Sequence, residues 1–104
     1  MQNPNPQSAT KLIKPRIGLI AGNGYLPILV AKGMHNIGCE VFAIGLANQY
    51  LPELVNHCDN FKTVGVTRLS QWIKYMQRWQ ITEAVMVGGV AHTKKYHRFQ
   101  FLHN

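Results

Sequence analysis

The run Ile17-Gly18-Leu19-Ile20-Ala21-Gly22-Asn23-Gly24-Tyr25-Leu26-Pro27 decides how the rest of the chain is read. An apolar segment empties into two glycines and then a proline, the order of a buried strand, a tight turn and a helix start. Gly22 and Gly24 permit dihedrals that other residues avoid. Pro27 is tolerated in a first helical turn, where its missing N–H would have had no partner. No Ser, Thr or Asp stands at the cap position. The donors of the first turn are therefore available to an anionic group, helped by the positive helix end. The same spacing also serves an ordinary strand-to-helix turn in which glycine supplies geometry alone.

Downstream of the turn, Leu26, Leu29, Val30, Gly33 and Ile37 fall on one side of a helix, with Lys32, His35 and Asn36 on another. Gly38 is suited to end that helix. Val41, Phe42, Ala43 and Ile44 then form a second apolar strand within Cys39–Gly45. Strand, helix and strand make a βαβ unit with a right-handed crossover, and its doubly apolar strands suit a parallel sheet covered on both faces. Leu51–Val55 is a short helix, and Phe61–Val66 a third strand. Thr67 is placed to cap a helix whose Leu69, Trp72, Ile73 and Met76 recur at helical spacing. A fourth strand, Glu83–Val87, empties into Gly88-Gly89.

These elements predict an α/β, Rossmann-like domain of about four parallel strands in order 3-2-1-4, with helices on both faces. In that order the first and fourth strands are neighbours, and a crevice opens beyond their carboxyl ends. Gly22, Asn23 and Gly24 on one side and Gly88 and Gly89 on the other flank that crevice, with His92 just past the second corner placed to touch a ligand, and these are the candidate binding residues.

The 104 residues allow one small domain with a thin core; 46% are hydrophobic and 14% charged, which describes a globular chain. Residues 1–15 hold Asn-Pro-Asn-Pro and no periodic apolar face, and read as a flexible leader before a domain over 16–104. Eleven Lys and Arg against four Asp and Glu give a net charge of +7, which favours anionic partners. Cys39 and Cys58 are too few for a disulfide framework or a zinc cluster and read as reduced thiols. No stretch approaches the roughly 20 apolar residues of a membrane helix, and no signal peptide is recognisable, so a cytoplasmic location is expected.

Catalytic equipment is sparse. Glu40, Glu53, Asp59 and Glu83 are scattered, His35, His57, His92, His97 and His103 lack metal-ligand spacing, and Ser8 and Ser70 lack a nucleophile elbow. No catalytic residue and no metal ligand is therefore assigned. A dinucleotide site is disfavoured, because Pro27 replaces the third glycine of the fingerprint and no acidic residue follows the second strand in Gly45-Leu46-Ala47-Asn48. The stretch His92–Leu102 mixes Lys94, Lys95 and Arg98 with aromatics, which suits either a solvated basic loop or a nucleic-acid patch.

Taken together, Ile17–Pro27, Leu29-Val30-Ala31, Glu40-Val41 and above all Val85-Met86-Val87-Gly88-Gly89-Val90 resemble the amino-terminal domain of UDP-2,3-diacylglucosamine pyrophosphatases of the LpxI type. The similarity runs from about Ile17 to the chain end, and His92-Thr93-Lys94-Lys95 departs from the Ser-Arg-Pro of many relatives. The resemblance implies the first domain of a two-domain hydrolase of lipid A biosynthesis that forms one wall of the cleft for a UDP-linked acylated glucosamine, with Gly22, Asn23, Gly24 and Pro27 of the first turn and Gly88, Gly89 and Val90 of the second as cleft-lining, substrate-binding positions. It also implies a divalent metal, Mg²⁺, for the complete enzyme, no cofactor held by this chain, a missing catalytic second domain or partner chain, and transient contact with the inner membrane surface. The alternatives are a nucleotide-binding regulatory module and a basic nucleic-acid-binding fragment.

Overall fold

The structure is a computed structural model and describes residues 14–90. His92, the basic aromatic stretch after it and nearly all of the expected leader lie outside the described residues. Four strands, β1 (Arg16–Ala21), β2 (Glu40–Leu46), β3 (Asn60–Val64) and β4 (Ala84–Val87), form one sheet in the order β3-β2-β1-β4. All three pairings are parallel. Helix α1 (Leu26–Asn36) crosses from β1 to β2, a short 3₁₀ helix (Pro52–His57) precedes β3, and α2 (Leu69–Arg78) leads to β4. The α/β architecture and its strand order are those expected from the sequence.

Because both faces of the central strands must be covered, the core divides into two clusters. Leu19, Ala21, Val41 and Ala43 meet Ile28 and Ala31 of α1 and Leu54 of the 3₁₀ helix on one face. Ile44, Leu46 and Val64 meet Trp72 and Met76 of α2 on the other. Alternate residues of β2 thus serve opposite faces, which is why that strand reads as one continuous apolar run.

The orientation of α1 differs from the sequence expectation. Pro27, Ile28 and Ala31 are its buried residues, whereas Leu26 and Leu29 are 55% and 52% exposed and Ile37 is 78% exposed. A helix turns by about 100° per residue, so an apolar arc displaced by one position presents a different face. The packing selects the arc that contains Ala31, a small side chain that lets the helix approach the sheet closely.

The start of α2 is also displaced. It begins at Leu69 with Arg68 at the cap position and no side-chain cap, so Thr67 does not perform the role expected of it. The carbonyl of Gly65 takes over: it accepts from the Arg68 N–H at 3.0 Å and from the Trp72 indole at 3.0 Å. Gly38, at φ +90°, does carry the chain out of α1.

Asp59 clasps the amino ends of β2 and β3 to the end of α1. Its Oδ2 accepts from the Val41 N–H at 2.7 Å and lies 2.8 Å from His35 Nε2. Burial works to raise the Asp59 carboxyl, but the hydrogen bonds of Val41 and His35 and the charges of His35 and Lys14 outweigh it and hold the pKa below 3.8. Nearby, burial first and the Asp59 charge second push the Cys58 thiol up to about 12, consistent with its donation to the Leu54 carbonyl at 3.3 Å.

Two predictions follow from this packing. Ile28→Ala is expected to lower stability by about 2–5 kcal/mol, whereas Leu29→Ala should stay within about 0.5 kcal/mol; equal losses in urea denaturation would contradict the observed orientation of α1. Since the native Asp59 pKa lies below the unfolded one, the clasp contributes fully above about pH 3.8 and its contribution is lost as pH falls through the native value. In acid titrations followed by circular dichroism, Asp59→Asn should be less stable at neutral pH and should lack that part of the acid dependence.

Candidate functional site

The registers Ala21↔Gly45 and Ala21↔Val87 bring β1, β2 and β4 to a common level, from which the chain leaves into the two glycine corners. The corners meet. The Gly22 N–H donates to the Val87 carbonyl at 2.8 Å, the Asn23 N–H to the Gly89 carbonyl at 2.7 Å, and the Gly89 N–H to Asn23 Oδ1 at 3.2 Å. Asn23 and Gly89 thereby form an antiparallel bridge across 66 positions of sequence.

Glycine is required here for close approach as well as for dihedral freedom. A Cβ on Gly22 would lie 2.1 Å from the Gly89 carbonyl oxygen, and one on Gly88 would lie 2.6 Å from the Asn23 carbonyl oxygen. Gly88 also adopts φ +96°. Pro27 is buried, with its Cγ 3.0 Å from the point where a Gly88 Cβ would stand, and half-buried Val90 packs against the α2-side core.

Gly22, Asn23, Gly24, Pro27, Gly88, Gly89 and Val90 are thus gathered at one place, with a difference from the open crevice expected from topology. Bare backbone from β1 and from β4 is in direct contact, and the N–H groups of Gly22, Asn23 and Gly89 already have acceptors. Among the described residues, the N–H groups of Gly24, Tyr25 and Leu26 meet no acceptor. They lie at the positive end of α1, where an anion is stabilised by dipole and donors together.

A polar group not foreseen from the sequence stands beside this turn. Lys32 Nζ lies 3.5 Å from the Tyr25 hydroxyl and 5.8 Å from its ring centroid, and that hydroxyl donates to Glu53 at 3.4 Å. Glu53 also lies 3.5 Å from His57 Nε2. The available signal was the spacing of Tyr25 and Lys32, seven positions or two helical turns, which places both on one face. A long cationic side chain on that face reaches back toward the amino end of the helix.

The same contacts bear on the implied metal. All four carboxylates of the chain are described: Glu40 pairs with Arg16 at 3.7 Å, Asp59 with His35, Glu53 with His57, and Glu83 precedes β4. Among the described residues no three His, Cys, Asp or Glu side chains converge to hold an ion. Among the described residues the donor set does not fit a divalent metal centre. Nor, among the described residues, is any helix long and apolar enough to cross a membrane.

A family model described as LpxI N-terminal domain matches residues 16–101, which include every strand and helix of the structure and both glycine corners. Comparison with curated proteins and with solved structures gives no match.

The two first-turn glycines are expected to respond differently to a methyl group. Gly22→Ala forces the Gly89 carbonyl away and should cost about 1–3 kcal/mol, with loss of hydrogen-exchange protection at the Asn23 amide. Gly24, at φ +89° with nothing within 4 Å, meets only conformational strain. Gly24→Ala should cost about 1–2 kcal/mol and leave Asn23 protected.

Proposed function

Since the chain belongs to the LpxI N-terminal domain family, a domain of lipid A biosynthesis enzymes, we propose that it forms one wall of the substrate cleft of a UDP-2,3-diacylglucosamine pyrophosphatase-like hydrolase. The observation that carries this reading is the joined corner at Asn23 and Gly89. By fixing the end of β1 against the end of β4, it holds the Gly24, Tyr25 and Leu26 donors rigidly at the start of α1. A pyrophosphate seated there would accept from those N–H groups, with the Lys32 ammonium beside Tyr25 supplying a compensating charge.

The role proposed for this chain is binding and orientation. Hydrolysis belongs to a second domain or a partner chain that supplies the carboxylates and the Mg²⁺ site, because the four carboxylates present are dispersed and three of them are engaged with local partners. A net charge of +7 favours approach to an anionic substrate and to the anionic cytoplasmic face of the inner membrane, where an acylated nucleotide sugar would be met.

The test is an assay of the purified chain with UDP-2,3-diacylglucosamine and Mg²⁺. Saturable binding without turnover is expected, weakened about tenfold or more by Gly24→Val. Turnover matching that of a two-domain relative would defeat the claim that the chain needs a catalytic partner. UDP bound as tightly as the acylated substrate would favour a nucleotide-binding regulatory module. Affinity for nucleic acid that collapses with salt and depends on Lys94, Lys95 and Arg98 would favour the nucleic-acid reading.

A further inference from the structure

Helix α1 turns an apolar row outward. Leu29, Gly33 and Ile37 follow one another at four-residue spacing beside Leu26, and all four are exposed. The Ile37 N–H still bonds the Gly33 carbonyl at 3.2 Å, so Ile37 continues the row just past the last helical residue. Pro27, Ile28 and Ala31 are buried on the side that faces the sheet. From the notch at the middle of this row we infer that α1 is the contact surface for a second copy of this chain, the two helices crossing at Gly33.

Within one copy the fold does not require a glycine at this position. Gly33 has no positive φ, and a Cβ there would meet nothing within 4 Å. Glycine inside a helix lowers its stability relative to alanine, because more backbone freedom is lost on folding. A second helix makes use of the missing side chain. Where rows at four-residue spacing interdigitate, two helices cross at about −50° with axes about 8–10 Å apart, and a bare position at the crossing permits the near end of that range. Leu29 and Ile37, four residues to either side, then flank the partner helix. A two-fold axis through the notch lets each copy supply both the notch and the flanking side chains, which is the condition for a closed dimer.

The notch also distinguishes a helix from a lipid surface as the occupant. Membrane contact is strengthened by buried apolar area, which a glycine at the centre of the row forfeits, whereas close helix packing exploits the gap. Charge agrees with this choice. Helix α1 has no acidic residue, and its one lysine, Lys32, lies about 100° round the helix from Gly33 with its ammonium beside Tyr25. Like charges are thus kept out of the contact itself, and repulsion between two copies of net charge +7 comes from the surrounding surface. A standard interface engages about 20–30 residues on each side, and one face of an 11-residue helix offers fewer. The dimer is consequently weak, with a Kd between about 1 μM and 1 mM. It is independent of the substrate reading, because Leu29, Gly33 and Ile37 stand outside the first-turn donors.

The experiment is sedimentation equilibrium of the whole chain at low and at high salt, with amide NMR over a concentration series, repeated for Gly33→Leu, Gly33→Ala and Leu29→Gln. A dimer is expected that tightens with salt, since screening relieves the repulsion between copies, together with concentration-dependent shifts at Leu29, Gly33 and Ile37. Gly33→Leu enlarges the apolar face but fills the notch, and should weaken the dimer about tenfold or more. Gly33→Ala should weaken it less while raising the urea midpoint of the dilute chain, and Leu29→Gln should weaken it without that gain. A chain that stays monomeric throughout overturns the inference. So does a dimer that Gly33→Leu leaves unchanged or tightens, which would mark unspecific apolar contact. Attachment to anionic phospholipid vesicles that falls with salt and survives Gly33→Leu, with no dimer in solution, would assign the face to a lipid surface and overturn it as well.

Discussion

The Gly89 carbonyl occupies the space where a side chain on Gly22 would begin, and this contact governs the arrangement of the carboxyl edge. Hydrogen bonds from Gly22 to Val87 and from Asn23 to Gly89 extend the β1–β4 pairing past the last ladder residues and into the two turns. The strand ends are therefore coupled through main-chain atoms, which have few soft degrees of freedom. Any other residue at Gly22 would have to part the corners, and the start of α1 would shift with them.

The cost of this junction is that several of its donors are consumed in holding it together. Its functional potential consequently moves outward to the first turn of α1, where Gly24, Tyr25 and Leu26 retain free N–H groups among the described residues and Lys32 stands near the Tyr25 ring. A glycine corner can serve as a structural joint or as an anion cradle. Here Gly22 and Asn23 form the joint, and the donors without an acceptor among the described residues begin at Gly24.

Glu40, Glu53 and Asp59 each have a cationic or imidazole neighbour, and the excess of Lys and Arg is partly arranged over aromatic rings, as with Arg16 over Phe42 and Lys62 over Tyr75. Such contacts contribute about 0.5–1 kcal/mol each at exposed sites and keep the cationic heads available to solvent and ligands. Those three carboxylates, by contrast, are committed to local partners, and Glu83 stands ahead of β4 at its amino end.

The sequence by itself determined the element types, the parallel sheet and its order, because unbroken apolar runs ending in glycine and separated by helical segments leave few ways to bury both faces of every strand. It also identified the residues of the joined corner, since Gly22 and Gly88-Gly89 follow strands that this order makes neighbours. Only the tertiary structure decided that the corners touch, because a sub-ångström difference in backbone approach separates an open crevice from a closed joint and leaves no trace in residue spacing. It likewise decided which apolar arc of α1 faces the sheet, a choice made by the close fit of Ile28 and Ala31 against Leu19 and Val41.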